Sequence, residues 1–271
     1  MRLLLAILLI LAASPVVAAT RLDGRAEQGG IILGRTEPAA TVTLDGRAVP
    51  VDRDGRFLLG FGRDAAERAI LEVRHADGGL ERRILDISRR DWPIQRIEGL
   101  PRDKAEPDAA AVARIRAESD MLRGLRAEIT PDARFLTGLI RPAEGIVSGR
   151  FGSQRVYNGH AGAPHSGLDI AAPGGTPVAA AAAGVVVLAA PDLFLTGATV
   201  MIDHGLGLMS SYAHLSRIDV ASGRGVARGD VIGAVGASGL ASGSHLHWGV
   251  SWLDVRLDPE TVLRVLSGDG G

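Results

Sequence analysis

A chain of 271 residues, 46% of them hydrophobic, can bury a sizeable core, and its lack of cysteine excludes disulfide frameworks and thiolate metal sites. With 30 Lys+Arg against 31 Asp+Glu the formal charge is −1, which provides no electrostatic footprint for nucleic acid or for an anionic membrane surface. Thirty-six glycines and only 4% aromatics favour tight turns and small-residue packing over a helical bundle.

Residues 1–19 read as a secretory signal. Arg2 gives a positive start, Leu3–Ala13 is apolar, and Val17-Ala18-Ala19 supplies small residues for cleavage. The apolar run falls short of the ~20 residues needed to span a bilayer, and Ser14-Pro15 closes it. Removal of the segment is therefore expected, with no stable membrane insertion of the mature chain. Loss of Arg2, the one charged residue before Thr20, takes the net charge from −1 to near −2. The expected location is exported, with the periplasm favoured by the simple signal and the absence of wall-anchoring motifs.

Residues 20–91 read as a small all-β domain, a β-sandwich. Thr41–Leu44, Arg56–Leu59, Ala69–Arg74 and Arg82–Ile87 are short apolar or β-branched runs, and Asp45-Gly46, Asp54-Gly55 and Asp77-Gly78 are hairpin-turn dipeptides. His75 stands beside a turn with no second ligand and is expected to face solvent. Residues 92–133 are a linker and a helix. Pro93, Pro101 and Pro107 break regular structure over 92–107. Over Ala109–Ile129, Val112, Ile115, Leu122, Leu125 and Ile129 form one helical stripe. It is too short for a sustained coiled coil, so a helix docked on a domain is predicted. From Arg134 to the C-terminus turn signals recur every eight to twelve residues, as in a compact, mostly antiparallel β domain. Its strand candidates are Val178–Leu188, Ala198–Asp203, Leu208–Tyr212, Asp230–Val235 and His245–Trp252, with about one turn of helix after Pro259. The fold class expected is mainly β, with a connecting α-helix.

Six of the seven histidines lie between His160 and His247. In His245-Leu-His247 the spacing of two puts both imidazoles on one face of a strand. In His165-Ser-Gly-Leu-Asp169 the spacing of four returns both groups to one side of an extended segment, and Pro164 and Gly167 argue against a helix. Two imidazoles and a carboxylate suit zinc, and three protein ligands with one position left for water is a catalytic pattern.

These residues resemble the LytM/lysostaphin-type zinc metallopeptidases, which cut peptide bonds in the bacterial cell wall. The resemblance covers roughly Ser148–Pro259. It includes Ile170-Ala-Ala-Pro173, Gly175-Thr-Pro-Val178, Ile202-Asp-His-Gly205, Tyr212-Ala-His-Leu-Ser216, and Val226 to Gly239 leading into His245-Leu-His247-Trp248. It implies that residues 134–271 form an antiparallel β-sheet peptidase domain with a groove. By the resemblance, His165, Asp169 and His247 are the zinc ligands, and His214 and His245 are unligated histidines beside the metal. Zn2+ bound there would remain a Lewis acid able to activate water. No His-Glu-x-x-His helix occurs, so histidine, which titrates near neutrality, is expected to handle protons. Ser244 stands where the family usually has proline, and Trp248 where phenylalanine is common.

Other residues carry weaker signals. His204, in a Gly-flanked turn, reads as structural, and His160 as a loop residue. Tyr212 is either a substrate contact or a packed side chain, and Arg155 either a contact to wall-peptide carboxylates or a surface charge. The function expected is a zinc endopeptidase with peptidoglycan peptides as substrate and wall hydrolases or divisome proteins as candidate partners. The alternative is a non-hydrolytic wall-binding regulator, a class marked by lost ligands; here all five positions are filled.

Overall fold

The computed structural model describes residues 20–97, 108–157 and 160–267. The signal expected at residues 1–19 lies outside the described residues. Seven strands come first: β1 (Arg21–Gly24), β2 (Ile31–Arg35), β3 (Thr41–Leu44), β4 (Arg47–Val49), β5 (Arg56–Gly60), β6 (Arg68–Arg74) and β7 (Leu80–Asp86). They form two antiparallel sheets, ordered β1-β2-β5 and β4-β3-β6-β7. Alternation builds the second sheet. In β6, Ala69, Leu71 and Val73 point inward and are buried, with exposed or half-buried residues between them. Asp45 and Gly46 both take positive φ, 49° and 76°, the conformation of a two-residue hairpin turn.

His75 corrects its sequence reading. It is only 7% exposed, with Nδ1 3.2 Å from Glu37 and Nε2 3.6 Å from Glu81. Glu81 reaches it from the next strand of the same hairpin, while Glu37, 38 residues earlier, closes over it from a part of the chain that no local pattern announces.

Next come β8 (Ile94–Ile97), α1 (Ala109–Ala127), β9 (Ile146–Gly149), β10 (Gln154–Tyr157), β11 (His160–Ala161) and β12 (Leu168–Ala171). After them run β13 (Pro177–Ala179), β14 (Gly184–Leu193), β15 (Gly197–Gly205), β16 (Leu208–Ile218), β17 (Gly225–Val226) and β18 (Val231–Val235). The last elements are β19 (His245–Trp252), β20 (Val255–Leu257) and α2 (Pro259–Leu266). A large sheet runs β17-β14-β15-β16-β19-β12-β9, with β20 added to β19 and β18 to β16.

The stretch 92–107, predicted to lack regular structure, contributes β8, which pairs in parallel with β10. His160, predicted in a loop, sits in the two-residue β11 opposite Tyr157. The apolar run Val178–Leu188 is divided between β13 and β14, and α2 makes eight residues of helix where one turn was expected.

Helix α1 is docked. The Asp108 carboxylate accepts the Ala111 N–H at its start. The Glu118 carboxylate accepts the Phe194 N–H at 2.8 Å, and Arg114 reaches Asp192. Just past its end, the Thr130 hydroxyl donates to Asp203 at 2.6 Å. Val112, Ile115, Leu122 and Leu125 are half-buried, while Ile129 is exposed.

One core cluster runs through both halves, from Ile31 and Leu58 to Trp252 and Val262. At their junction a Cβ on Gly60 would lie 2.9 Å from the Trp252 ring and 3.2 Å from Leu257. Gly60→Leu is therefore expected to overpack this junction and cost about 1–3 kcal/mol, read as a lower urea midpoint. An unchanged midpoint would mean that the halves do not interlock there.

Candidate metal centre

Strand β19 is the axis of the site. It pairs with β12 on one side, Asp169 opposite His247, and with β16 on the other, Ala213 opposite His247. The pleat sends Leu246 and Trp248 into the core, both fully buried, and turns His245 and His247 to the opposite face. Asp169, directly across from His247, shares that face.

His165 arrives from the loop before β12, not from the strand. Its N–H donates to the Ser153 carbonyl at 2.9 Å, and its own carbonyl accepts the Gly152 N–H at 2.9 Å. Nδ1 lies 3.0 Å from the Arg150 carbonyl, which accepts only, so Nδ1 carries the proton and Nε2 the lone pair. That Nε2 lies 2.9 Å from Asp169 Oδ1 and 3.1 Å from His247 Nδ1, and His247 Nδ1 lies 2.8 Å from the same oxygen. Burial pushes the Asp169 carboxyl up, but hydrogen bonding and charge from His165 and His247 outweigh it and hold the group well below the usual carboxylate range. Two imidazole nitrogens and a carboxylate oxygen thus converge on one point, a group able to hold a divalent metal ion. Imidazole donors fit zinc and other transition metals better than calcium or magnesium.

Two further histidines flank the cluster. His245 Nδ1 donates to the Gly243 carbonyl at 2.9 Å, and Nε2 lies 3.8 Å from Asp169 Oδ1. His214 Nδ1 donates to the Ser238 carbonyl at 2.8 Å, and its ring centroid is 4.7 Å from that of His245. Burial lowers the His214 pKa to about 4, so the ring is neutral near pH 7. His214 has φ +63° and sits where β16 passes from β19 to β18 as its partner. A regular strand would place it on the same face as Tyr212. The left-handed residue breaks the alternation, so Tyr212 faces the core and His214 faces the site.

Tyr212 is therefore a correction as a substrate contact. It has no exposed surface, pairs across from Trp248, and its hydroxyl is bound by the Ala181 N–H at 2.8 Å and by Ser210 at 2.9 Å. Arg155 occupies β10, and its side chain lies outside the described residues, as does that of His160. His204 stands as structural. It is 1% exposed, with Nδ1 2.8 Å from the Ala183 carbonyl and Nε2 2.7 Å from the Ser210 hydroxyl.

Some participants escaped the sequence reading. Ser238 holds His214 through its carbonyl, while its hydroxyl accepts the Ala198 N–H at 2.9 Å and donates to the Leu215 carbonyl at 2.8 Å. Residues 150–153, which hold His165, are themselves clamped from the N-terminal half. Arg63 Nε donates to the Gly152 carbonyl at 2.7 Å, and Trp92 meets Phe151 edge-on at 5.7 Å. Gly152 has φ +80°, and a Cβ there would lie 2.1 Å from the Trp92 ring, so glycine is required on both counts. The only sequence signal was the Phe151-Gly152 pair itself.

Comparison with known proteins bears on this geometry. Residues 163–259 match peptidase family M23. A crystal structure of a candidate M23 peptidase from Pseudomonas aeruginosa superimposes with a TM-score of 0.70 at 31% identity, covering 90% of this chain and 96% of that one. The chain belongs to peptidase family M23. Among curated proteins, the M23 region is 45% identical over 86 residues to peptidoglycan DD-endopeptidase ShyA of Vibrio cholerae, covering 32% of this chain and 20% of ShyA. It is 46% identical over 84 residues to DD-carboxypeptidase/endopeptidase Mpg of Neisseria meningitidis, covering 31% of this chain and 19% of Mpg. The matched stretch is thus about a fifth of the length of these relatives.

The buried, neutral His204 of this M23 domain links stability to pH. Burial lowers its pKa to about 4 from an ordinary 6.5. A depressed histidine contributes stability that is complete above pH 6.5 and is lost as pH falls through about 4. The loss from this one group is on the order of 3 kcal/mol. His204→Gln is expected to flatten the dependence of the denaturation midpoint between pH 7 and pH 4. A variant with the parent's slope would remove His204 as its source.

Proposed function

We propose that the protein is a zinc-dependent endopeptidase that hydrolyses peptide bonds in peptidoglycan, in cross-links or stem peptides. The observation that carries this reading is the convergence of His165 Nε2, Asp169 Oδ1 and His247 Nδ1, with His245 and His214 beside them. Those three residues would hold the zinc. When bound, it would supply a Lewis acid that polarises the scissile carbonyl and makes water nucleophilic near neutral pH.

The protein's own groups handle the protons. With Nδ1 donating to Gly243, His245 presents Nε2 as an acceptor toward the cluster. It can take a proton from the attacking water and, once charged, return it through Nε2–H to the leaving amine. His214 is neutral near pH 7 and fixed by Ser238, so its Nε2 is likewise an acceptor, suited to orienting water or a substrate N–H. The relatives named DD-endopeptidase and DD-carboxypeptidase/endopeptidase support bonds between D-residues as the target. Export to the periplasm, as the N-terminal signal suggests, would bring the enzyme to that polymer.

The mature protein is expected to hold close to one zinc per chain by metal analysis, and His247→Ala to lose it. Full zinc retention in that variant would break the ligand assignment. His245→Ala should keep zinc while kcat falls by roughly 10²–10⁴, and undiminished turnover would remove His245 from the proton path. Incubation with purified sacculi should release muropeptides with new amino termini; their absence would favour a non-hydrolytic regulator.

A further inference from the structure

The face of β19 that carries His245 and His247 continues through Gly249 and Ser251. Gly249 lies opposite Ser211 of β16, and Ser251 opposite Arg256 of β20. The Arg256 side chain turns back along this face. Its Nη1 lies 3.9 Å from the point where a Cβ on Gly249 would stand, and Ser211 Oγ lies 2.5 Å from the same point. Glycine at 249 thus lets the Ser211 hydroxyl and the Arg256 guanidinium come close to the strand, two residues along the face from the metal-ligand cluster. That is a rise of about 7 Å from His247.

Neither Arg256 nor the Ser211 side chain has a hydrogen-bond or ion-pair partner among the described residues, and both are half-buried. Burial, and after it the charge of Arg126 at the end of α1, lowers the Arg256 pKa to about 10. Arg126 is itself buried with no ion pair among the described residues, and the acid that acts on it, Asp254, is engaged by Arg47 at 2.9 Å. Two partly desolvated guanidiniums with no carboxylate of their own are costly to hold, and an arriving anion relieves that cost. A planar guanidinium takes a carboxylate in a bidentate grip, and a nearby hydroxyl adds a third donor.

We propose that Arg256 and the Ser211 hydroxyl form a subsite for a carboxylate of the peptide substrate, with Arg126 reinforcing the positive field. The subsite rests on the peptidase reading, since wall peptides carry free carboxylates. An extended peptide advances about 3.3–3.6 Å per residue, so the carboxylate held here belongs to a residue roughly two removed from the bond at the metal. Arg256 is then a specificity determinant and takes no part in bond cleavage.

The test compares a cross-linked muropeptide dimer with the same dimer whose carboxylates are converted to amides. Parent, Arg256→Ala and Arg256→Met are assayed for cleavage and, by calorimetry, for binding; zinc content and circular dichroism check that each variant is folded. The parent is expected to prefer the acid dimer. Both variants should raise KM and Kd for the acid dimer at least tenfold, change them less than twofold for the amide, and leave kcat near the parent value. Arg256→Lys should recover part of the preference. Cleavage with equal losses for acid and amide dimers, or no loss at all, overturns the subsite and leaves the peptidase standing. Acid-selective binding that depends on Arg256 without any cleavage keeps the subsite and overturns the peptidase. Failure of the parent to bind either dimer overturns both.

Discussion

The site depends on one cross-strand pair, Asp169 of β12 facing His247 of β19. In a β-ladder a slip of one residue moves every side chain to the other face. Such a slip would turn both groups into the core and Leu246 and Trp248 out of it. The register is held because Ile170, Leu246, Trp248 and Tyr212 are all buried on the opposite face. Fully burying one large apolar side chain is worth about 1.5–3 kcal/mol. The core thus enforces the geometry of the polar cluster, which by itself is a costly gathering of partly buried ionisable groups.

Around that pair, orientation comes from the main chain. His165, His214 and His245 each place Nδ1 against a backbone carbonyl, of Arg150, Ser238 and Gly243 respectively. Side-chain substitution cannot delete these acceptors, though it can displace the loops that present them. The loop presenting Arg150 is clamped by Arg63 and Trp92, which places the N-terminal half within the support of a proposed zinc ligand. The Pseudomonas relative matches 90% of this chain, so the arrangement of both halves is shared with it.

Backbone conformation at His214 shows how a local exception serves the site. A left-handed non-glycine residue costs about 1–2 kcal/mol, and here it coincides with a change of strand partner. Without it, the imidazole would point into the core beside Tyr212. Helix α1 is another element whose role lies in its contacts. Its stripe is only half-buried, and it is tied by Arg114 and Glu118, in its first half and middle, near one end of the β14–β15 hairpin, and by Thr130, just past its end, near the other.

The sequence by itself determined the mainly β class and the His245-Leu-His247 strand to the residue, and its resemblance to a known family supplied the candidate cluster His165, Asp169, His247, His214 and His245. The class and the strand are local features, because strand periodicity is two and hairpin dipeptides carry their own turn geometry. Only the tertiary structure decided that Tyr212 faces the core, that His75 is buried between Glu37 and Glu81, and that the proline-broken stretch after Asp91 supplies a strand and a clamp. It also decided that Arg256 and Ser211 meet over Gly249. Each of these outcomes depends on which distant strand lies opposite, and pairing between distant strands is set by how the whole core packs rather than by any one stretch of chain.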